Sequence, residues 1–161
     1  MEALLFTVAR GLYLAPLSDL DEVLMPARLS PLARAPAFLA GVLNLRGANL
    51  PILDLAERLG QVADARSSQA TDHRPWQRDN RILCFSAAGV TLGAIVDRVT
   101  GIRSLAPDER REPVLSETGA PPFLGGLWPV AGRLTQEIRL RDLLAPAELA
   151  LLRGINAEPP V

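Results

Sequence analysis

The 161-residue chain has little of what most enzyme sites are built from. It contains one cysteine, Cys84, and one histidine, His73, and only 4% of its residues are aromatic. A single cysteine cannot form an internal disulfide, and one residue of each kind is too few for the clustered ligands of a zinc site. A serine triad or a cysteine dyad needs a positioned histidine, and His73 lies in a polar stretch. We therefore expect no metal ion, no cofactor and no catalytic residue.

The chain also lacks an excess of charge and a long apolar run. Its net charge is −1, so no basic field is present to hold a phosphate backbone, and we expect no nucleic acid partner. No run reaches the roughly 18 apolar residues of a membrane span, and the start of the chain has no basic region like that of a signal peptide. The composition predicts a cytoplasmic protein with no direct membrane insertion, whose partners are proteins. Cys84 stands in an apolar run and is expected to be buried.

What the chain does contain is a repeat. Seven residues recur 85 positions later with the same spacing: Phe38, Leu39, Gly41, Val42, Gly47, Leu53 and Leu55 match Phe123, Leu124, Gly126, Leu127, Gly132, Ile138 and Leu140. A second match lies upstream, where residues 4–8, a turn at Gly11 and residues 12–14 resemble residues 82–86, Gly89 and residues 90–92. The duplication predicts two similar half-domains that close one compact domain.

The pattern of glycine and proline predicts a mainly β fold with short helices. Twelve glycines and fourteen prolines separate short apolar runs. Three hairpins are expected, with strands at 4–8 and 12–14, at 42–45 and 50–53, and at 82–86 and 90–95. In the second of these, Gly47 is expected to take a positive φ at the turn, and Gly132 is its equivalent. Short helices are expected at 19–24, 55–59 and 146–152, the last of them ended by Gly154.

One polar segment divides the chain. Residues 61–80 have linker composition, and Trp76 within them is either a local anchor or a partner contact. We therefore expect a single domain over residues 1–152. Its first subdomain spans roughly 14–60, the linker 61–80, and the second subdomain roughly 81–145 plus the N-terminal strand. Residues 153–161 are expected to form a flexible tail.

The most informative positions are those where the two copies differ. The first copy has Asn44 and Arg46 before Gly47, whereas the second has Pro129 and Ala131 before its own glycine. Turn geometry accounts for the glycine but requires neither Asn44 nor Arg46. Because arginine is enriched in interface hot spots, these two residues are candidates for contact with a partner. The alternative is that Arg46 forms a pair within the protein.

Three ordered motifs resemble those of CheW-like chemotaxis coupling domains. Residues 38–55 resemble the G-V-x-N-L-R-G-x-x-x-P-x-x-D-L core motif of that family. Residues 92–99 are similar to its G-x-x-V-D-x-V strand, and residues 123–127 to its late F-x-x-G segment. The resemblance covers residues 2 to about 145.

The resemblance implies two five-stranded, SH3-like β-barrel subdomains with an apolar core between them. It further implies a non-catalytic adaptor that joins the cytoplasmic tip of a chemoreceptor to the CheW-like regulatory domain of the histidine kinase CheA. In the family, the receptor tip lies in the groove between the barrels. The receptor-binding residues expected here are Arg46, Asn44, Leu4, Leu17, Leu20 and Val99. The three last-named could instead be ordinary core, and no kinase-binding residues are assigned.

Two other functions remain open from the sequence. A β-barrel enzyme or small-ligand binder could share the fold, because fold alone does not determine function. A CheW-like module could also bind only one of the two partners. A buried polar pocket with clustered titratable groups would favour the first alternative.

Overall fold

The computed structural model describes residues 1–60, 77–112 and 119–158, which form two five-stranded sheets. The strand order is β3-β6-β7-β5-β4 in one sheet and β8-β1-β2-β10-β9 in the other. The strands are β1 Glu2–Val8, β2 Gly11–Pro16, β3 Glu22–Leu24, β4 Leu39–Leu45, β5 Ala48–Asp54, β6 Arg81–Ala87, β7 Val90–Val96, β8 Arg98–Ser104, β9 Leu124–Val130 and β10 Arg133–Ile138. Helix α1 spans Leu55–Arg58 and helix α2 spans Pro146–Ala157. The expected mainly β architecture with short helices is confirmed.

Each sheet curls until its two edges meet through a short backbone bridge. Ser30, beyond β3, exchanges backbone hydrogen bonds of 2.8 and 2.9 Å with Val42 on β4. Arg111, beyond β8, does the same with Leu127 on β9, at 2.8 and 2.7 Å. Val42 and Leu127 are equivalent positions of the repeat, so both sheets close in the same way. We call the sheet of β3–β7 barrel 1, and the sheet of β1, β2 and β8–β10 barrel 2.

The barrels divide the chain differently from the predicted subdomains. Barrel 1 consists of the consecutive strands β3–β7, and barrel 2 consists of the strands before and after them in the sequence. Hairpin β6–β7 therefore belongs with β4–β5, and β2 belongs with β9–β10. The physical reason is the parallel pairing of β5 with β7 and of β2 with β10, which joins a hairpin of one copy to a hairpin of the other. The repeated sequence unit and the folded barrel are thus not the same unit.

The turns at the hairpin tips repeat with the sequence. In β4–β5, Arg46 and Gly47 have φ of 51° and 84°, and in β9–β10, Ala131 and Gly132 have φ of 49° and 77°. Two consecutive residues with positive φ form the two-residue turn that suits the twist of antiparallel strands. Both glycines therefore have the positive φ that the sequence predicts for this turn. Gly11, by contrast, lies inside β2 and pairs with Val8, so the first turn is one residue earlier than predicted.

Three apolar clusters follow from the alternation of side chains along the strands. The largest lies between the barrels and combines residues of both, among them Leu4, Phe6, Leu83, Phe85 and Ile138. Barrel 2 encloses a cluster of Ala3, Leu5, Leu14, Leu105, Trp128 and Val130. Barrel 1 encloses Leu43, Leu50, Ile52, Ile82 and Cys84. Cys84 is buried as expected, and its burial raises the pKa of its thiol to about 12.

Two helix predictions require correction. Residues 19–24 form no α-helix; a 3₁₀ helix covers Leu17–Asp19, and Glu22–Leu24 is strand β3. Pairing of β3 with β6 overrides the weak local helix signal. Helix α2 does not end near Gly154 but continues to Ala157. The predicted flexible tail from residue 153 is therefore helical over its first half, because the last turn of α2 is bonded to barrel 1.

The predicted linker lies largely outside the described residues. That holds for residues 61–76, with His73 and Trp76 among them. The end of the predicted linker is part of the fold, since Asn80 is 4% exposed. Its side chain accepts a hydrogen bond from the Gln77 N–H and donates one to the carbonyl of Asp97, at 2.9 and 3.1 Å.

Candidate functional site

The tip of hairpin β4–β5 carries an exposed ion pair. The Arg46 Nη1 and Nη2 atoms donate to the two carboxylate oxygens of Glu22 on β3, at 3.1 and 3.0 Å. These hydrogen bonds raise the pKa of Arg46. The Arg46 side chain is nevertheless 72% exposed. The intramolecular pairing considered as the alternative is therefore present, and it leaves most of the guanidinium accessible to a partner.

Asn44 has a structural role that the comparison of the two copies did not predict. Its Oδ1 accepts a hydrogen bond of 3.2 Å from the backbone N–H of Gly47 and so closes the turn. The expectation that turn geometry has no use for Asn44 is wrong. An asparagine three residues before a turn glycine is a recognisable local signal, because asparagine side chains bond to nearby backbone groups.

Four predicted apolar site residues belong to, or pack against, the cluster between the barrels. Leu4, on β1, is 4% exposed and belongs to the core. Leu17, Leu20 and Val99 are half-buried and pack against the same cluster. Leu4 therefore supports the surface from beneath, whereas the other three stand at its edge. We call Leu17, Leu20, Val99, Arg46 and Glu22 the candidate surface.

The segment that carries Leu17 and Leu20 is held by the short turn that follows β10. Arg141 donates from Nη2 to the Ser18 carbonyl at 3.0 Å, and its Nε lies 3.7 Å from Asp19 Oδ1. Burial raises the pKa of Asp19 despite the nearby arginine. On the other side, the Asp21 N–H donates to the Cys84 carbonyl of barrel 1 at 2.8 Å. The segment thus spans the two barrels, and Glu22 follows it directly.

Asp97 fixes the start of the strand that carries Val99. The Ala9 N–H donates to Asp97 Oδ2 at 2.7 Å, and the Asp97 N–H donates to the Thr7 carbonyl at 2.9 Å. Both contacts cross from the β7–β8 corner of the chain to the β1–β2 hairpin. The aspartate of the V-D-x-V motif therefore holds the corner between the barrels, a structural role.

One cavity in the described part of the chain bears on the ligand-binder and enzyme alternatives. A cavity of about 360 Å³ lies beside Pro121 and is lined in part by Arg110, Glu112 and Arg139. Its two arginines are already paired, Arg110 with Glu112 and Arg139 with Glu137 at 3.6 Å. Within residues 1–60, 77–112 and 119–158, no three His, Cys, Asp or Glu side chains are grouped to hold a metal ion. Nor does any helix of these segments have the length and apolar character to cross a membrane.

Sequence reasoning missed two residues of this region. Glu22 pairs with Arg46 from 24 positions away, and it was predicted to lie in a helix. Asn156 bonds to barrel 1 from within the predicted flexible tail. Neither has a local signal, because both act through contacts between elements that are distant in the sequence.

Comparison with known proteins places this architecture in a family. Residues 2–148 match the model of the CheW-like domain. The chemotaxis protein CheW of Klebsiella aerogenes is 25% identical over 96% of this chain and 87% of its own length. Protein PilI of Pseudomonas aeruginosa is 31% identical over 76% of this chain and 64% of its own length.

A solved structure agrees with these sequence matches. The scaffolding protein TtCheW of Thermoanaerobacter tengcongensis superposes with a TM-score of 0.74 at 25% identity, covering 89% of this chain and 87% of that one. The chain therefore belongs to the CheW-like domain family, in which the CheW proteins are non-catalytic adaptors and scaffolds.

Proposed function

We propose that this protein couples the cytoplasmic tips of chemoreceptors to the histidine kinase CheA, in a signalling array on the cytoplasmic side of the membrane. The observation that carries the proposal is the asymmetry between the two hairpin tips. Barrel 1 presents Arg46 together with Glu22, whereas the equivalent tip of barrel 2 presents Ala131. Since the two turns have the same backbone geometry, the turn itself does not require the charged pair.

The proposed receptor contact combines an apolar part and a polar part. An amphipathic helix can place side chains spaced by three or four residues against Leu17, Leu20 and Val99, which are half-buried above the core. Arg46 uses Nη1 and Nη2 for Glu22, and its flat, exposed guanidinium still has further N–H donors for carboxylate or carbonyl groups of the helix. Docking of the helix would thus join hydrophobic burial to directional hydrogen bonds.

The decisive experiment compares equivalent substitutions at the two tips. Arg46→Glu is expected to weaken binding of a chemoreceptor signalling-tip fragment by about tenfold or more, as for an interface hot spot. Ala131→Glu places the same charge on the same turn of barrel 2 and is expected to leave that affinity unchanged. Isothermal titration with the receptor fragment measures both. Equal losses for the two variants, or no loss for Arg46→Glu, would remove Arg46 from the site.

A charge exchange separates partner contact from internal pairing. The double variant Glu22→Arg/Arg46→Glu restores the ion pair with its polarity reversed. If the receptor contacts Arg46 itself, the double variant binds as weakly as Arg46→Glu alone. If only the internal pair matters, its affinity returns to that of the unmodified protein.

The kinase half of the proposal needs its own measurement. The same titrations are run with the CheW-like regulatory domain of CheA, for which no contact residues are assigned. Binding of both the receptor fragment and the kinase domain supports a coupling protein. Binding of only one of them would instead identify a module that serves a single partner.

A further inference from the structure

We infer that the last turn of α2 positions the hairpin tip that carries Arg46, with Asn156 as the positioning residue. This inference rests on the proposed function, since the tip is part of the candidate surface. Barrel 1 has a gap in its backbone hydrogen bonding. The parallel ladder between β5 and β7 covers residues 52–54 and 93–95 and does not continue toward the tip.

The side chain of Asn156 fills this gap with hydrogen bonds. Its Nδ2 donates to the carbonyls of Asn49 on β5 and Thr91 on β7, at 2.9 and 3.0 Å. Its Oδ1 accepts from the Thr91 N–H at 3.0 Å. One amide therefore joins the two strands where they no longer bond to each other. Leu149 and Leu152 hold helix α2 in this position, because both are buried in the core between the barrels.

We call these hydrogen bonds of Asn156 the clamp. Asn49 connects the clamp to the turn. It pairs across the hairpin with Asn44, whose side chain holds the Gly47 N–H. Asn49 also donates from Nδ2 to the Glu158 carbonyl at 3.0 Å, just beyond the helix. In the same region, Arg153 donates to the carbonyl of Ala88 at 3.0 Å and so holds the neighbouring tip of β6–β7.

Such support adds to what the turn itself provides, because Arg46 is a non-glycine residue at a φ of 51°. Backbone of this kind is less favourable for residues with a Cβ, and it persists where the surroundings hold it in place. A tip that is already fixed loses less conformational freedom when a partner binds, which strengthens binding. The clamp thus contributes to affinity without touching the partner.

The test uses the full chain with Asn156→Ala and a matched control, Leu151→Ala. Leu151 lies on the same helix, is 52% exposed and takes no part in the clamp. Amide hydrogen exchange at Gly47 is expected to accelerate in Asn156→Ala only, with Gly132 of barrel 2 as an internal reference. Affinity for the receptor fragment is expected to fall about three- to tenfold, the effect of one lost hydrogen-bond group. Unfolding midpoints show that both variants are folded.

A double-mutant cycle distinguishes positioning from general support. If Asn156 acts through Arg46, adding Asn156→Ala to Arg46→Ala causes no further loss of affinity. An equal loss in both backgrounds, or exchange at Gly47 that matches the control, would overturn the inference. If Arg46→Ala alone leaves the affinity unchanged, the proposed binding site is wrong. Exchange at Gly47 then still decides whether Asn156 positions the tip.

Discussion

The interiors of the two barrels show how far side chains can diverge on the same backbone. At equivalent positions, barrel 1 has the apolar pair Leu43 and Ile52, and barrel 2 has Trp128 and Glu137. Trp128 Nε1 donates to the buried Glu137 carboxylate at 3.3 Å. Strands β4 and β9 nevertheless begin and end 85 residues apart. Strand register and turn geometry therefore define this fold. The interior of a barrel holds either an apolar pair or a hydrogen-bonded Trp–Glu pair on the same backbone.

The hairpin tips of the two barrels also carry different side chains on the same turn. The β4–β5 tip has its turn closed by Asn44, its arginine paired with Glu22 and its base clamped by Asn156. The β9–β10 tip keeps the turn and replaces the arginine with Ala131. On the proposed function, the tip of barrel 2 has only a structural role, whereas the tip of barrel 1 also contacts a partner.

The largest effect on stability is expected when a carboxylate like that of Glu137 is placed inside barrel 1. Ile52→Glu places a carboxylate inside barrel 1, where neighbouring side chains such as Leu43 and Ile82 are apolar. A buried charge with no partner destabilises a protein by about 3–5 kcal/mol. We expect the free energy of unfolding, measured by urea denaturation, to fall by this amount.

The matched variant is Glu137→Gln in barrel 2. It keeps an oxygen to accept from Trp128 and gives up only the attraction to Arg139, so the loss is expected to be about 1 kcal/mol or less. Similar losses in both barrels would show that the interiors are interchangeable. That outcome would contradict the comparison.

A smaller difference in stability is expected between substitutions at the ends of β5 and β10, where each copy leaves its last hairpin. Asp54 and Arg139 are equivalent residues. Their backbone N–H groups donate to the carbonyls of Phe38 and Phe123, at 2.8 and 2.7 Å. Only Asp54 caps a helix, since its Oδ1 accepts from the Ala56 N–H at 3.1 Å. Asp54→Ala should therefore lower the free energy of unfolding by about 1 kcal/mol. Arg139→Lys keeps a positive charge near the buried Glu137. It should change the free energy of unfolding by less than about 0.5 kcal/mol, as for most surface substitutions, and thermal denaturation would reveal any larger effect.

The sequence predicts the local features of this fold well. The three hairpins, the turn glycines and helix α1 follow from short patterns, and the repeat predicts two similar units. Each of these depends on residues within about ten positions of one another. The burial of Cys84 follows in the same way from its apolar neighbours.

What the sequence does not predict depends on contacts between distant elements. The exchange of hairpins between the copies is determined by the parallel pairs β5–β7 and β2–β10. Residues 22–24 become a strand because β6 pairs with them. The Glu22 partner of Arg46 and the clamp by Asn156 likewise join segments that local patterns cannot relate.

The smallest effects are expected from two carboxylates whose pKa values shift in opposite directions. Burial alone would raise the pKa of Glu148, but hydrogen bonds from Arg58 and the Ala145 N–H hold it below its ordinary value of 4.5. Glu148 therefore stabilises the fold above pH 4.5, and this contribution is lost as the pH falls through its lowered pKa.

Burial raises the pKa of Asp19 above 3.8. The folded state then takes up its proton first, so stability is gained as the pH falls through that raised pKa. Unfolding in urea between pH 7 and pH 3 tests both, with each effect below about 1 kcal/mol because the groups are near the surface. Glu148→Gln should be less stable than the unmodified protein at pH 7, with the difference shrinking in acid, whereas Asp19→Asn should be at least as stable at pH 7. A reversed order at pH 7 would show that these carboxylates do not make the contacts described.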